Sequence, residues 1–233
     1  VRLRRSFATG SAMSRKLVLF GNGAVAEVLH HQFLRHTDYQ IAGFTVDRDF
    51  VGDGVCCGLP VVPWEEVADT WSPDEHDLMV AIGYVRVNRL RAERVAQARE
   101  MGYRLASYVH PHTSLWDGFV LGENCRINEN VIIQPFATIG DNVFIGAGSL
   151  IGHHTTIGDH CHLSAGVHVA GQVSIGSYCY FGIHSTVRNR VIVAPRCVIG
   201  AGAVLLGDTV ERGVYLAPAA EQLPIDSDRL TPG

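Results

Sequence analysis

From Leu115 onward every sixth residue is apolar: Leu115, Leu121, Ile127, Ile133 and so on through Leu205, sixteen positions with no insertion. With 47% hydrophobic residues in the chain, sixteen matches in one phase would arise by chance roughly once in 10^5 trials, so the period is structural. Glycine often takes the second place of the hexad, as at Gly122, Gly140, Gly146 and Gly152, and the fifth place is small or β-branched, as at Cys125, Val131, Ala137 and Val143. A seven-residue period would wind helices into a coiled coil, and strict alternation would give a flat strand. A period of six predicts instead short strands joined by tight corners and stacked as a parallel β-helix. Each hexad then buries its first and fifth side chains against the coils above and below.

Ahead of the hexads the rhythm changes. "KLVLF", Lys16 to Phe20, is a buried-strand run, and "GNGAVAEVLHHQFL" passes from glycines into an amphipathic helix. "YQIAGFTVD" is a second strand ending in Asp47, "LMVAIG" (Leu78 to Gly83) a third, "NRLRAERVAQAREMG" a helix and "RLASYV" a final strand. This alternation predicts an α/β unit with a Rossmann-like parallel sheet over 14–108, followed by the all-β helix and a tail over 109–233. Its ligand crevice, at the strand carboxyl ends, would gather Gly21, Gly23, Asp47 and Gly83. Gly21-x-Gly23-x-x-Ala26 would aim backbone N–H groups at a phosphate, and Asp47 follows at the spacing of a ribose-binding acid. A tight strand-to-helix turn needs small residues too, so these glycines fit either a nucleotide site or a structural turn. An NAD-dependent oxidoreductase is the rival function on such a motif. Against it, 14–108 is short for the two mononucleotide-binding halves of a full dinucleotide fold.

The hexads resemble the left-handed β-helix acyltransferases of the hexapeptide-repeat type. That resemblance implies triangular coils of three hexads, left-handed winding, and about five coils, a prism roughly 25 Å tall at strand spacing. Coils of eighteen residues align Cys125, Cys161, Cys179 and Cys197 as a ladder inside one wall. Thiols so placed are small core hydrophobes, and the lack of any C-x-x-C spacing argues against zinc. Cys56 and Cys57 are adjacent and poorly placed to bridge each other. This usage fits a reduced, cytoplasmic protein.

Charge and composition narrow the field further. A net charge of −4 and a pI near 6.3 leave no basic surface suited to nucleic acid. No apolar run approaches the ~18 residues of a membrane span. "VRLRRSFATGSA", ahead of Met13, has the Arg- and Ser-rich, acid-free make-up of a transit peptide. It is read here as an extension or misassigned start, disordered and outside the fold, over 1–13.

Taken together, the short Rossmann-like unit, the link "YVHPHTSL" and the hexads resemble the bacterial sugar acetyltransferases of the PglD/NeuD-like group. The resemblance runs from Lys16 to Ala219 and is most specific in "IGHHTTIGDHCHLSAGVHVAGQVSIG". It implies an acetyl-CoA-dependent enzyme acting on a nucleotide-linked amino sugar. It also implies a homotrimer with acetyl-CoA held between neighbouring prisms. Carried over by position, His153 matches the family's base, with His154 beside it, and His162 matches the histidine near the acetyl group. Gly171, Ile183, Ala201 and Ala203 match the cofactor channel, while Gly21, Gly23, Ala24, Val25, Asp47, Gly83 and Asn88 fall on the nucleotide-sugar side. Position arithmetic agrees for His153, which is third in its hexad, outward and near a corner, with Gly171 one coil along. An imidazole is suited to removing a proton as an amine or hydroxyl attacks a thioester.

Several positions depart from the family. His154 stands where many relatives carry an acid, Gly23-Ala24-Val25 where they carry Gly-Gly-His, and "GYVRVN" where they carry Gly-Asp-Asn or Gly-Asn-Asn. "LAPAAEQ" lacks the family's lysine, leaving Arg188, Arg190 and Arg196 either as phosphate partners for CoA or as a solvated face. Three other functions compete: sugar O-acetylation of the sialic-acid type, a noncatalytic trimeric scaffold, and zinc catalysis of the γ-carbonic-anhydrase kind. The last is disfavoured because no two histidines of the 153–168 cluster are five residues apart, and no metal is expected. His160, His168 and His184 are expected at exposed corners.

Overall fold

The computed structural model describes residues 15–116 and 118–222, with Pro224 and Asp228; the extension expected over 1–13 lies outside the described residues. In β1 (Lys16–Phe20), Leu17 and Leu19 face one side of a sheet and Val18 and Phe20 the other, all buried. Two covered faces account for the unbroken apolar run. There follow α1 (Ala24–His36), β2 (Gln40–Val46), β3 (Val55–Cys56), β4 (Leu59–Pro63), a short α2 (Val67–Thr70), β5 (His76–Val80), α3 (Arg89–Glu100) and β6 (Arg104–Leu105). The sheet order is β3-β4-β2-β1-β5-β6, parallel throughout except for the β3–β4 hairpin. α1 sets Ala26, Leu29 and Phe33 against Leu17 and Leu19, while Val95 and Ala98 of α3 join Trp64 and Trp71 on the opposite face. Because the chain leaves β1 for β2 and returns beyond it to β5, the strand order reverses at β1. The carboxyl ends of β1 and β5 there form the crevice.

"RLASYV", expected as one strand, divides between the two halves of the molecule. Arg104–Leu105 ends the α/β sheet, whereas Tyr108–Val109 opens the β-helix by pairing with Arg126–Ile127. The break falls at Ala106 and Ser107. Ala106 N–H still bonds Leu78 O in the sheet, while the Ser107 hydroxyl accepts from Cys125 N–H of the first full coil.

Every hexad strand expected from Leu115 to Leu205 is present as a two-residue strand, and Tyr108–Val109 and Val214–Tyr215 extend the stack at its ends. The strands form three parallel walls of seven, six and five, wound as a left-handed β-helix. The first wall includes Arg126–Ile127, Phe144–Ile145, His162–Leu163 and Tyr180–Phe181; the second, Leu150–Ile151 and His168–Val169; the third, Thr156–Ile157 and Ser174–Ile175. First- and fifth-place side chains from Ile127 onward fill one continuous core, whereas Leu115 on the open first coil is exposed. Cys125, Cys161, Cys179 and Cys197 are fully buried in it, each thiol donating to a backbone carbonyl, as Cys125 Sγ does to Gly140 O at 3.1 Å.

The fourth place of every hexad from Leu115 to Ile199 turns the corner with a positive φ. Asn142 (φ 57), Gly148 (φ 68), His154 (φ 57), His160 (φ 62) and Gly166 (φ 67) are successive examples. Glycine, asparagine and histidine tolerate this left-handed conformation well, which accounts for three of the twelve histidines. His154, His160 and His184 are corner formers, His162 and His168 point outward from strands, and His153 alone of the cluster holds a third place.

Candidate functional site

His153 lies on the edge between the second and third walls, exposed to solvent. Its N–H donates to Gln134 Oε1 at 2.9 Å on the coil before, and its carbonyl accepts from Gln172 N–H on the coil after. The ring occupies the space that a side chain at Gly171 would fill: a Cβ there would stand 2.5 Å from His153 Nε2. Nδ1 of His153 and Nδ1 of His154 are 3.1 Å apart, a hydrogen bond in which one donates and the other accepts. When His153 donates, its Nε2 is left with a free lone pair directed into that notch. His154 in turn rests against Phe136, ring centroids 4.8 Å apart. Arg188 and Arg190 sit two coils along the same edge, both exposed, while Arg196 lies on another edge beside Glu211.

His162 meets the opposite conditions on the first wall. Tyr180 stacks on it at 5.7 Å, Tyr84 reaches it at 5.2 Å from the loop after β5, and Phe144 flanks it at 6.1 Å. Burial first, then the positive charges of Arg91 and Arg126, push its pKa down to about 3, so the ring is neutral at physiological pH. Its Nδ1 is buried with no partner. Beside it a cleft of about 280 Å³ runs along the first wall, lined by Arg126, Asn128, Phe144, His162, Ser164 and the small residues of the adjoining edge. Ala147 and Ala165 of that edge continue, one coil at a time, into Ile183 and Ala201, both exposed. The Ala203 methyl is in the core instead, so only its backbone can face a ligand.

In the crevice, Gly21 (φ 123) is pressed against β5, where a Cβ would meet Ala81 O at 2.8 Å. Gly23 and Gly83 have nothing within 4 Å of a hypothetical Cβ and border open space. Gly23 is the N-cap of α1, and Ala24 and Val25 form the first turn, with the helix N–H groups facing the crevice side. Asp47 is not a free ribose acid: Arg94 Nη2 lies 2.6 Å from its Oδ1 and 2.7 Å from its Oδ2. Asn88 does not reach the crevice either. Held in a left-handed conformation at the start of α3, it is buried and donates to Cys179 O at 3.2 Å. Asn88 thereby ties the crevice loop to the prism.

Arg91 completes that tie. Fully buried, it donates to Asn142 Oδ1 (2.8 Å), Asn142 O and Cys161 O (both 3.1 Å), and its guanidinium lies 4.1 Å from the Phe144 ring centroid. Asn124 extends the network from Asn142 to Val80 N–H of the α/β sheet. None of Arg91, Tyr84, Arg126, Phe144 or Tyr180 was marked by a motif. A signal was nevertheless present: positions 126, 144, 162 and 180, eighteen apart, stack four large side chains in the sixth place of one wall.

Residues 118–153, 136–171 and 154–189 match the family described as bacterial transferase hexapeptide (six repeats). A comparison with curated protein sequences finds no match. Among solved structures, PerB from Caulobacter crescentus in complex with CoA and GDP-perosamine superposes with a TM-score of 0.79 at 27% identity, over 88% of this chain and 95% of that one. The acetyltransferase domain of PglB from Neisseria gonorrhoeae in complex with acetyl coenzyme A gives 0.78 at 24% identity, over 90% and 100% of the two chains. WeeI from Acinetobacter baumannii gives 0.75 at 17% identity, over 87% and 96%. The repeat over 118–189 is similar to that of the bacterial hexapeptide transferases, and the α/β-plus-prism architecture is shared with the solved structures over most of the chain. Both findings agree with the resemblance to the PglD/NeuD-like sugar acetyltransferases.

Proposed function

We propose that this chain is an acetyl-CoA-dependent acetyltransferase that N-acetylates a nucleotide-linked amino sugar in the cytoplasm, as a homotrimer, with His153 as general base. The observation that carries the reading is the His153 ring in the notch at Gly171, on a prism whose solved counterpart PerB is in complex with CoA and GDP-perosamine. The acceptor amine attacks the thioester carbonyl, His153 Nε2 takes the amine proton, and the tetrahedral species expels the CoA thiolate, which receives that proton. The products are an amide and free CoA. His154 supports the step by accepting from His153 Nδ1–H, the orientation that frees Nε2. It cannot supply the negative charge of the acid it replaces. Neutral His162 offers an N–H to the developing oxyanion without competing for the proton.

The placement of these groups supports a trimer. The α/β unit covers the first wall, and the edge bearing His153 faces away from that wall on the same prism. In that assembly, base and acceptor cleft would meet between neighbouring chains. The same docking would bring the Ile183 and Ala201 edge against the partner's Gly171 edge, with Arg188 and Arg190 available to CoA phosphates. The nucleotide would lie at Gly21, Gly23 and Gly83, its phosphates against the first turn of α1, Ala24 and Val25.

Incubation with acetyl-CoA and UDP-, dTDP- or GDP-linked amino sugars should yield an acetylated product that mass spectrometry locates on nitrogen. Gly23→Val tests the crevice, because a Cβ added at Gly23 has nothing within 4 Å of it. It should raise the acceptor KM at least about tenfold and leave the acetyl-CoA KM nearly constant. Unchanged acceptor kinetics, or NAD(H) turned over at that crevice, would sink the sugar-nucleotide reading.

A further inference from the structure

The cleft on the first wall holds more hydrogen-bonding capacity than the protein itself uses. Arg126 and His162 flank Phe144 on successive coils, in register, which at strand spacing sets their Cα atoms about 10 Å apart. Arg126 Nε and His162 Nδ1 are both buried without a partner, and both residues line the same cleft. Nη2 of Arg126 donates to Gln32 Oε1 at 3.0 Å, and Gln32 Nε2 reaches Asn128 Oδ1 at 3.4 Å, so neutral amides hold the guanidinium in place. Glu129 lies near enough to favour the charge but forms no ion pair with Arg126, and no carboxylate lines the cleft. On the Phe144 ring lies a second buried cation, Arg91, whose hydrogen bonds run only to Asn142 and backbone carbonyls. Two cations without acid partners behind one cleft favour an anionic occupant, since a ligand carboxylate restores both the missing hydrogen bond and the missing charge.

We propose that Arg126 is a specificity-determining residue and that the acceptor is an amino sugar carrying a carboxylate, bound by Arg126 in this cleft. The proposal rests on the acetyltransferase reading, because it takes this cleft as the acceptor site. A carboxylate fits better than the acceptor's own pyrophosphate, which has the open crevice at Gly23. The planar guanidinium, already anchored through Nη2, keeps an Nε–H that no protein group uses and that a planar carboxylate can satisfy. The cleft's volume of about 280 Å³ suits a single sugar ring.

The test uses the full chain, acetyl-CoA, and UDP- and GDP-linked amino sugars that differ only at C6: carboxylate, hydroxymethyl or methyl. The wild type should favour the carboxylate at least about tenfold in kcat/KM, the scale of one charge-assisted hydrogen bond. Arg126→Gln should lower kcat/KM for the carboxylate sugar about tenfold more than for the hydroxymethyl sugar, and Arg126→Lys should restore part of the preference. Binding of the same sugars is read separately by calorimetry. If none is acetylated, the transferase reading fails, while a carboxylate preference in binding, lost in Arg126→Gln, still upholds the role of Arg126. Equal or better use of the hydroxymethyl or methyl sugar by the wild type overturns it, as does failure of every sugar to bind.

Discussion

His153 and His162 are nine residues apart on one repeating framework, yet the prism edge and the first wall make them chemically different groups. On the edge, the His153 ring is open to solvent, hydrogen-bonded to His154 and set beside a missing side chain at Gly171. On the wall, His162 is enclosed by Tyr84, Phe144 and Tyr180 and loses its proton affinity to burial and to Arg91 and Arg126. Place in the hexad decides whether a side chain points in or out. Contact with the α/β unit decides what an outward side chain can do. The wall has such a partner and the edge has none within the chain, which is why the edge is free to carry a base and the wall a neutral donor.

The contrast is broken most severely at the base. His153→Ala should lower kcat about 10^3-fold with the folded state and oligomer unchanged, because an exposed ring contributes little packing. Retention of more than about a tenth of wild-type kcat, with chemistry rate-limiting, removes His153 from that role. Gly171→Ala should act on the same step by crowding. Its methyl would stand 2.5 Å from Nε2, so the ring must turn out of the notch, at a cost in kcat of about ten- to a hundredfold. Its melting temperature should hardly move, since the displaced group is the tip of an exposed side chain.

The wall gives a smaller effect, read in stability. The folded state keeps His162 unprotonated down to about pH 3, whereas the unfolded chain takes up that proton near its ordinary pKa of 6.5. Between those values the unfolded state binds more protons, so stability is full above about pH 6.5 and declines as the pH falls. From pH 7 to pH 5 the loss through this one group is at most about 2 kcal/mol. In His162→Phe, which keeps an aromatic ring against Tyr180, that part of the slope should vanish from urea denaturation curves. The slope that remains belongs to groups such as His160 and His110, which burial also lowers. An unaltered pH slope in His162→Phe would mean that the ring titrates normally and that wall and edge are not the contrasting environments described above.

Much of this was legible in the chain alone, for reasons that are local. A six-residue period repeats the same backbone turn, so one phase of apolar residues was enough to locate every strand from Leu115 to Leu205 and to send Cys125, Cys161, Cys179 and Cys197 inward. The outward third place of His153 and the space left by Gly171 come from that same arithmetic, because coils stack at constant register. Contacts between distant segments escaped it. The capture of Asp47 by Arg94 joins two elements of the α/β unit, while the division of "RLASYV" between two sheets and the turning of Asn88 toward Cys179 O depend on how that unit docks on the first wall. So does the burial of Arg91 between Asn142 and Phe144. No periodicity encodes that docking, since its partners lie roughly 50 to 90 residues apart and belong to units with different repeats. Only the folded chain brings the loop carrying Tyr84 onto His162 and Tyr180, and Gln32 of α1 onto Arg126, and so turns one wall of a uniform prism into a cleft.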